Sequence, residues 1–215
     1  MYKKLFNKHT YLGAFCMLLL FLFGIIVSKI MNKEPLVVDE VLKNQLQSFQ
    51  SEGAITFFSY FTEMGAEAGI ILVLILTLIW LWIKRRDYIS MIILVVSVVG
   101  AQLLNKIIKE GVARERPSIQ EAVDAIGYSF PSGHAMVGVV MYGFVAFLMI
   151  QGIAGKTKQA AVAVCAAVLV ILIGLSRIVL SVHYPSDVLG GYCLGGLLLV
   201  SFLYLNYFLH VRFKK

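Results

Sequence analysis

Six long apolar blocks divide this chain and leave it few folds to choose from. They run over 11–28, 65–83, 88–105, 135–153, 160–175 with some extension, and 188–208. A hydrocarbon core of ~30 Å takes about 20 apolar residues to cross as a helix, and each block is at or near that length. With 60% of its residues apolar and only 14% charged, a chain of 215 residues does not read as a water-soluble domain. The expectation is an all-α membrane protein, a six-transmembrane-helix bundle forming a single integral membrane domain over 1–215. Lys3, Lys4 and Lys8 ahead of the first block resemble the start of a signal peptide. The block is long, however, and its end, VSKIM, lacks a small-residue cleavage site, so an uncleaved first span is expected.

Orientation follows from the placement of Lys and Arg. With the N-terminus in the cytoplasm, Lys3, Lys4, Lys8, Lys84, Arg85, Arg86, Lys156, Lys158, Arg212, Lys214 and Lys215 lie inside, and of the acids only Asp87 does. Both termini are therefore expected in the cytoplasm of a multi-pass cell-membrane protein, with 109–134 and 176–187 on the extracytoplasmic side. The formal charge of +7 needs no nucleic-acid partner, because it is the inner collar of a membrane protein. Cys16, Cys165 and Cys193 all fall inside spans without metal-ligand spacing and read as core thiols. Tyr11, Trp80, Trp82, Tyr88, Tyr204 and Tyr207 sit near span ends and read as interfacial anchors.

Between spans one and two, the polar segment 31–64 carries two amphipathic patterns. Val38, Val41, Leu42, Leu46 and Phe49 recur at helical spacing, as do Ile55, Phe58, Phe61 and Met64 after Gly53. Short interfacial helices on the outer membrane surface are expected, with a lid or lipid entrance beside a site as the sharper alternative. The loop 110–130 is long enough to suggest function.

Polar chemistry is concentrated in KEGVARERP at 109–117, PSGH at 131–134 and SRIVLSVHYPSD at 176–187. Ionisable groups near a bilayer are costly and mark a functional site by default. Lys109, Arg116 and Arg177 suit a clamp for a phosphoryl group, whose equatorial oxygens carry the charge in transfer. Lys106 and Arg114 read instead as interfacial cations that snorkel to water. Ser132 is placed to cap a helix beginning at Gly133, whose N-terminus presents free N–H groups to an anion. His134 in the first turn suits proton donation to a leaving alkoxide. His183 and Asp187, four apart, share one face if helical, and a carboxylate on one ring nitrogen would leave the other as a nucleophile. A metal site of His134, His183 and Asp187 is the alternative, disfavoured by three nearby cations, so neither metal nor cofactor is expected. His9 and His210, at the other end of the spans, read as hydrogen-bonding residues.

The spacing Lys109, six residues, Arg116-Pro117, then PSGH, then Ser176-Arg177, five residues, His183, three residues, Asp187 resembles the type-2 phosphatidic acid phosphatase superfamily. That superfamily contains bacterial phosphatidylglycerophosphate phosphatases and is related to vanadium haloperoxidases. The resemblance implies a metal-independent phosphatase in which His183 attacks phosphorus to form a phosphohistidine and Asp187 orients it. It implies that His134 protonates the leaving group, and that Lys109, Arg116, Ser132, Gly133 and Arg177 bind phosphate. It also implies a six-span bundle with its site near the outer leaflet.

A site at the membrane surface implies a phosphate carried on a lipid, and a phosphatidylglycerophosphate-type phosphatase with some breadth is expected. Undecaprenyl pyrophosphate phosphatase is the alternative within the enzymes. A lipid-phosphate transporter or binding protein, a phosphotransferase and a haloperoxidase stand behind it. Gly190, Gly191, Gly195 and Gly196 form a strip for close helix contact, by default internal, with a homodimer seam as the alternative.

Overall fold

A computed structural model of the chain describes residues 9–47, 51–117 and 127–213. Its elements are helices: α1 His9–Met31, α2 Val37–Gln47, α3 Glu52–Gly65, α4 Glu67–Trp80 continued by a π-helical turn Leu81–Arg85, α5 Tyr88–Val112, α6 Gly133–Gln151, α7 Lys156–Val179 and α8 Pro185–Phe213. Six of these stretches are long and apolar enough to cross a membrane. The bundle is ordered around α6, whose apolar window is 61% buried, whereas that of α1 at the periphery is 6% buried. α6 packs on α8, α7 and α5, and α1 leans on α8.

α1, α5, α7 and α8 outrun their apolar blocks, and the added turns carry polar residues. α5 starts on Asp87, whose carboxylate accepts from Ser90 N–H at 3.1 Å, and ends where Ala113 turns into the left-handed region at φ 50. The apolar block stops at Asn105, but the helix holds on for two more turns and takes Lys109 with it. The core is apolar side chains from α4, α5, α6 and α7, among them Leu81, Leu94, Met136, Met141, Phe144 and Ile173. Outward-facing Phe21, Leu72, Ile92, Leu103, Val164 and Phe208 are exposed and form the lipid-facing coat.

The glycine strip on α8 is internal. A Cβ at Gly191 would stand 2.7 Å from the Ser132 carbonyl oxygen, and one at Gly195 would stand 2.6 Å from that of Met136. Only glycine lets α8 lie this close to α6. Gly190 faces Phe130 and Gly196 faces Leu19, so all four serve contacts within the chain. Trp80 differs from a simple interfacial anchor: the Arg85 guanidinium lies 5.3 Å from its ring centroid, and the ring packs against the core.

The two amphipathic patterns form α2 and α3, with Phe49 outside the described residues. They do more than rest on a surface, because α3 packs against α7 and α2 against α8. Of the loop 110–130, residues 118–126 lie outside the described residues. Its two ends are tied together, Ser129 N–H donating to the Arg114 carbonyl at 2.8 Å.

Candidate active site

Four helix ends meet at one end of the bundle: the C-termini of α5 and α7 and the N-termini of α6 and α8. Together they enclose a cavity of about 360 Å³ lined by Gly65, Glu67, Ile70, Gln102, Asn105, Lys109, Arg116, Gly133, His134, Val137, Arg177 and His183. Of the eight site residues expected from sequence, six line it directly. Ser132 and Asp187 stand just behind them, at 0% exposure.

The turn between α7 and α8 places His183. Arg177 lies in the last turn of α7, and its carbonyl accepts from the N–H groups of both Val182 (3.1 Å) and His183 (3.2 Å). Ser181 takes a left-handed φ of 56 to reverse the chain. A cation and an imidazole six residues apart thereby reach the same cavity. Pro185 then opens α8, where its missing N–H costs nothing. Asp187 reaches back from the first turn to accept from Tyr184 N–H at 2.8 Å, as an acidic residue does in a capping box. The spacing of four therefore works through a turn and a helix start, where His183 precedes the helix, rather than through one helical face.

Asp187 is saturated. Oδ1 accepts from Arg114 Nη1 at 2.6 Å, while Oδ2 accepts from Ser129 Oγ at 2.5 Å and Tyr184 N–H and lies 3.3 Å from His183 Nδ1. On the other side of the imidazole, Arg116 Nη1 lies 3.3 Å from Nε2. A guanidinium only donates. Nε2 must then be the acceptor, which puts the ring proton on Nδ1 facing the carboxylate. Burial holds the His183 imidazole down at about 4, against the upward pull of the Asp187 carboxylate. The ring is neutral at ordinary pH, with its lone pair on the cavity side.

Arg116 is fixed by carbonyls at its base, donating from Nε to Gly127 at 2.9 Å and from Nη1 to Val182 at 2.8 Å. Arg177 is 3% exposed and donates from Nη1 to Thr62 Oγ1 at 2.5 Å. Its Nε is buried without a hydrogen-bond partner among the described residues, and so is Ser132 Oγ. Unmatched buried donors are rare, and two beside one cationic cavity are the pattern an anion would complete. Ser132 was expected to cap α6 with its hydroxyl. It sits at the cap position but makes no side-chain cap bond: Met136 N–H bonds its carbonyl at 3.0 Å, and the hydroxyl is left for other use.

His134 stands in the first turn of α6, beneath the end of α3, where a Cβ at Gly65 would be 2.9 Å from its Cδ2. Asn105 donates from Nδ2 to the Pro131 carbonyl at 3.1 Å and so braces the turn into α6. His210 lies at the far end of the bundle, hydrogen-bonded to Asp87 (2.9 Å) and the Asn206 carbonyl (2.8 Å), as expected for a hydrogen-bonding residue. His9 has no described side chain.

A further sequence expectation is corrected here. Arg114 is not a snorkelling interfacial cation. Its side chain is 16% exposed and is paired with both Asp187 and Asp39, because the αL turn at Ala113 swings it inward over the start of α8. Asp39, Thr62, Ser129 and Asn105 also touch the site's residues and were not singled out from sequence. Only the acidic first turn of α2 hinted at Asp39, and that signal is equally a helix-dipole preference.

A family model for the PAP2 superfamily matches residues 90–210, which span all eight expected site residues. Phosphatidylglycerophosphatase B of Bacillus subtilis (strain 168) is 33% identical over 138 residues, 64% of this chain and 68% of that protein. The crystal structure of the first transmembrane PAP2 type phosphatidylglycerolphosphate phosphatase from Bacillus subtilis matches with a TM-score of 0.80 and 26% identity, covering 89% of this chain and 95% of that one. The crystal structure of Aquifex aeolicus LpxE matches with a TM-score of 0.62 and 22% identity over 79% and 96% of the two chains, a likeness of fold. With the six-span bundle and the motif residues gathered at one cavity, these matches show that the chain belongs to the PAP2 superfamily and is a membrane hydrolase of phosphoric monoesters.

Proposed function

We propose that the protein hydrolyses phosphatidylglycerophosphate and related lipid phosphates through a phosphohistidine on His183, in a site on the extracytoplasmic side. The observation that carries this reading is the position of His183 Nε2, 3.3 Å from Arg116 Nη1, with the Nδ1 side of the ring turned to Asp187. A phosphoryl group seated in the cavity replaces the imidazole as the partner of Arg116. Lys109, Arg116, Arg177, Ser132 Oγ and the N–H groups at the start of α6, Gly133 among them, hold its equatorial oxygens. Nε2 bonds to phosphorus as the ester P–O bond breaks, and His134 gives a proton to the departing alkoxide. Water then attacks the phosphohistidine with His134 as base, releasing inorganic phosphate and restoring the imidazole.

Three features support a lipid substrate. The cavity is lined in part by Glu67 and Ile70 of α4 and Gln102 of α5. On those same helices Ile71, Leu103 and Ile107 are exposed to the bilayer. A phosphate on a lipid headgroup reaches the cations from there while its chains stay in hydrocarbon, and the two Bacillus subtilis relatives are named as phosphatidylglycerophosphate phosphatases. Lys84, Arg85, Arg86, Lys156 and Lys158 gather at the opposite end of the spans, which supports an outward-facing site and cytoplasmic termini.

The test is phosphate release by detergent-purified protein in excess EDTA, from phosphatidylglycerophosphate, phosphatidic acid and undecaprenyl pyrophosphate, with His183→Ala beside the wild type. Release fastest from phosphatidylglycerophosphate, resistant to EDTA and lost in the variant, is expected. Fastest release from undecaprenyl pyrophosphate would assign the protein to wall-carrier recycling instead, and undiminished release by His183→Ala would remove the phosphohistidine.

A further inference from the structure

The nucleophile pair is held from a direction that its own motifs do not supply. Arg114 occupies one of the unspecified positions of the spacing pattern, yet it donates from Nη1 to Asp187 Oδ1 (2.6 Å) and to Ser186 Oγ (2.7 Å), and from Nη2 to Asp39 Oδ2 (2.8 Å). Its guanidinium carbon stands 4.0 Å from the centroid of the Tyr184 ring. Asp39 of α2 completes the arrangement, accepting from Ser186 N–H at 2.8 Å and from Ser186 Oγ at 2.7 Å. Both charges are largely shielded, with side chains 16% and 12% exposed, so these contacts are screened far less than a surface pair.

We propose that Arg114 and Asp39 are positioning residues for the phosphatase reaction: Asp39 sets the Arg114 fork, and Arg114 fixes the carboxylate that orients the His183 ring. The inference rests on His183 being the nucleophile. Geometry supplies the reason for an arginine here. A planar fork can bridge two carboxylates and a hydroxyl at once, whereas an ammonium supplies one point of charge. With Oδ1 so held, the other carboxylate oxygen is aimed at Nδ1, and the lone pair on Nε2 points into the cavity. Neither residue lines that cavity, so neither is placed to touch the reacting phosphate. Their effect travels through Asp187 and the Tyr184–Ser186 turn that carries it.

The arrangement also ties the amphipathic helix α2 to the reaction. Asp39 is its only described contact with Arg114, and it spans from a helix outside the bundle core to the first turn of α8. The nucleophile is therefore fully aligned only when α2 is docked.

The experiment compares wild type, Arg114→Gln, Arg114→Lys and Asp39→Asn, purified full-length in detergent, with phosphatidylglycerophosphate as substrate. It reads kcat, KM, inhibition by vanadate and the acid limb of kcat/KM. The charged and titratable groups around His183 are Asp187 of α8, Arg177 of α7, His134 of α6, Lys109 of α5, Glu67 of α4, Arg116, and Arg114 behind Asp187. Arg114→Gln is expected to lower kcat ~100-fold, the scale of a 1 Å misplacement. KM and vanadate inhibition stay within about threefold because the phosphate clamp is intact. Its acid limb moves to higher pH, since an Asp187 carboxylate released from its ion pair with Arg114 pulls harder on the His183 proton. Arg114→Lys keeps the limb in place and recovers part of the rate. Asp39→Asn, which can no longer accept from Arg114 at the substituted atom, loses about tenfold in kcat with unchanged vanadate inhibition.

Values of kcat within about twofold of wild type in Arg114→Gln and Asp39→Asn would overturn the proposal. So would a loss in Arg114→Gln that falls equally on vanadate inhibition and leaves the acid limb unmoved, which is the mark of a merely structural role. Should Arg114→Gln fail to fold, an undiminished kcat in Asp39→Asn overturns it alone. Turnover retained by His183→Ala would instead sink the nucleophile assignment on which the proposal rests, a separate result that these variants cannot produce.

Discussion

Arg116 Nη1 faces His183 Nε2 at 3.3 Å, and this one contact settles which tautomer the ring adopts. A donor on the cavity side obliges the proton to sit on the Asp187 side, so the lone pair is directed at the place a phosphorus atom would occupy.

Asp187→Asn tests the tautomer directly. An amide Nδ2–H facing Nδ1 donates to it and drives the ring proton to Nε2, the wrong nitrogen for attack. The substitution also withdraws a charged partner from Arg114. A fall in kcat of ~10³-fold or more is expected, with KM little changed. Steady-state kinetics on the purified variant checks it, and wild-type turnover would remove Asp187 from the catalytic group.

Activity should survive mild acid. The imidazole of His183 is held near about 4, so attack by its neutral form persists well below neutrality and fails only as pH falls through that value. The sign is that of a base with a depressed proton affinity: active above, silenced below. A kcat/KM profile for wild type, corrected for the second ionisation of the substrate phosphate, is expected to show no loss attributable to the enzyme between pH 7 and about 5. A limb near the ordinary histidine value would show that burial does not govern this ring.

Arg177 and Thr62 give a graded pair. Arg177→Lys loses the planar fork at the back of the cavity, and a drop in kcat/KM of ~100-fold or more is expected. Thr62→Val removes only the hydroxyl that accepts from Nη1 at 2.5 Å. That leaves the guanidinium in place but less restrained, with a loss of about tenfold. Measurement of both with one substrate ranks fork against brace.

A methyl group at Gly65 has nowhere to go. It would stand 2.5 Å from Ile173 Cγ2 and 2.9 Å from His134 Cδ2, so either α3 lifts or the imidazole shifts. Gly65→Ala is expected to lower kcat more than it raises KM, and to cost about 1–3 kcal/mol of stability through overpacking. A thermal melt and a kinetic comparison separate the two effects.

The spans, and the gathering of the expected site residues at one cavity, were readable because each lies in a short stretch where chain order does the placing. Lys109 is carried by the last turns of α5, Gly133 and His134 by the start of α6, and Arg177 with His183 by a single reversal after α7. Asp39 and Thr62 were not readable. A helical period tells which face of α2 or α3 is apolar, but not which partner a polar residue on the other face will meet. Arg114 failed for a different reason. A lone cation at a span end satisfies itself equally well in water, and only the turn at Ala113, with two acids across from it, selects the inward position. The Ser132 hydroxyl was assigned to the cap because the residue type is right there, while the backbone alone closes the first turn of α6.

The family match begins at residue 90, yet Asp39, Thr62 and Gly65 reach the centre from before it. An acid, a hydroxyl and the absence of a side chain are three described points by which residues 37–65 engage the shared machinery. Divergence elsewhere in that segment would leave these contacts with the site standing. A chimaera that exchanges it while keeping those three positions would carry a borrowed selectivity onto an unaltered reaction.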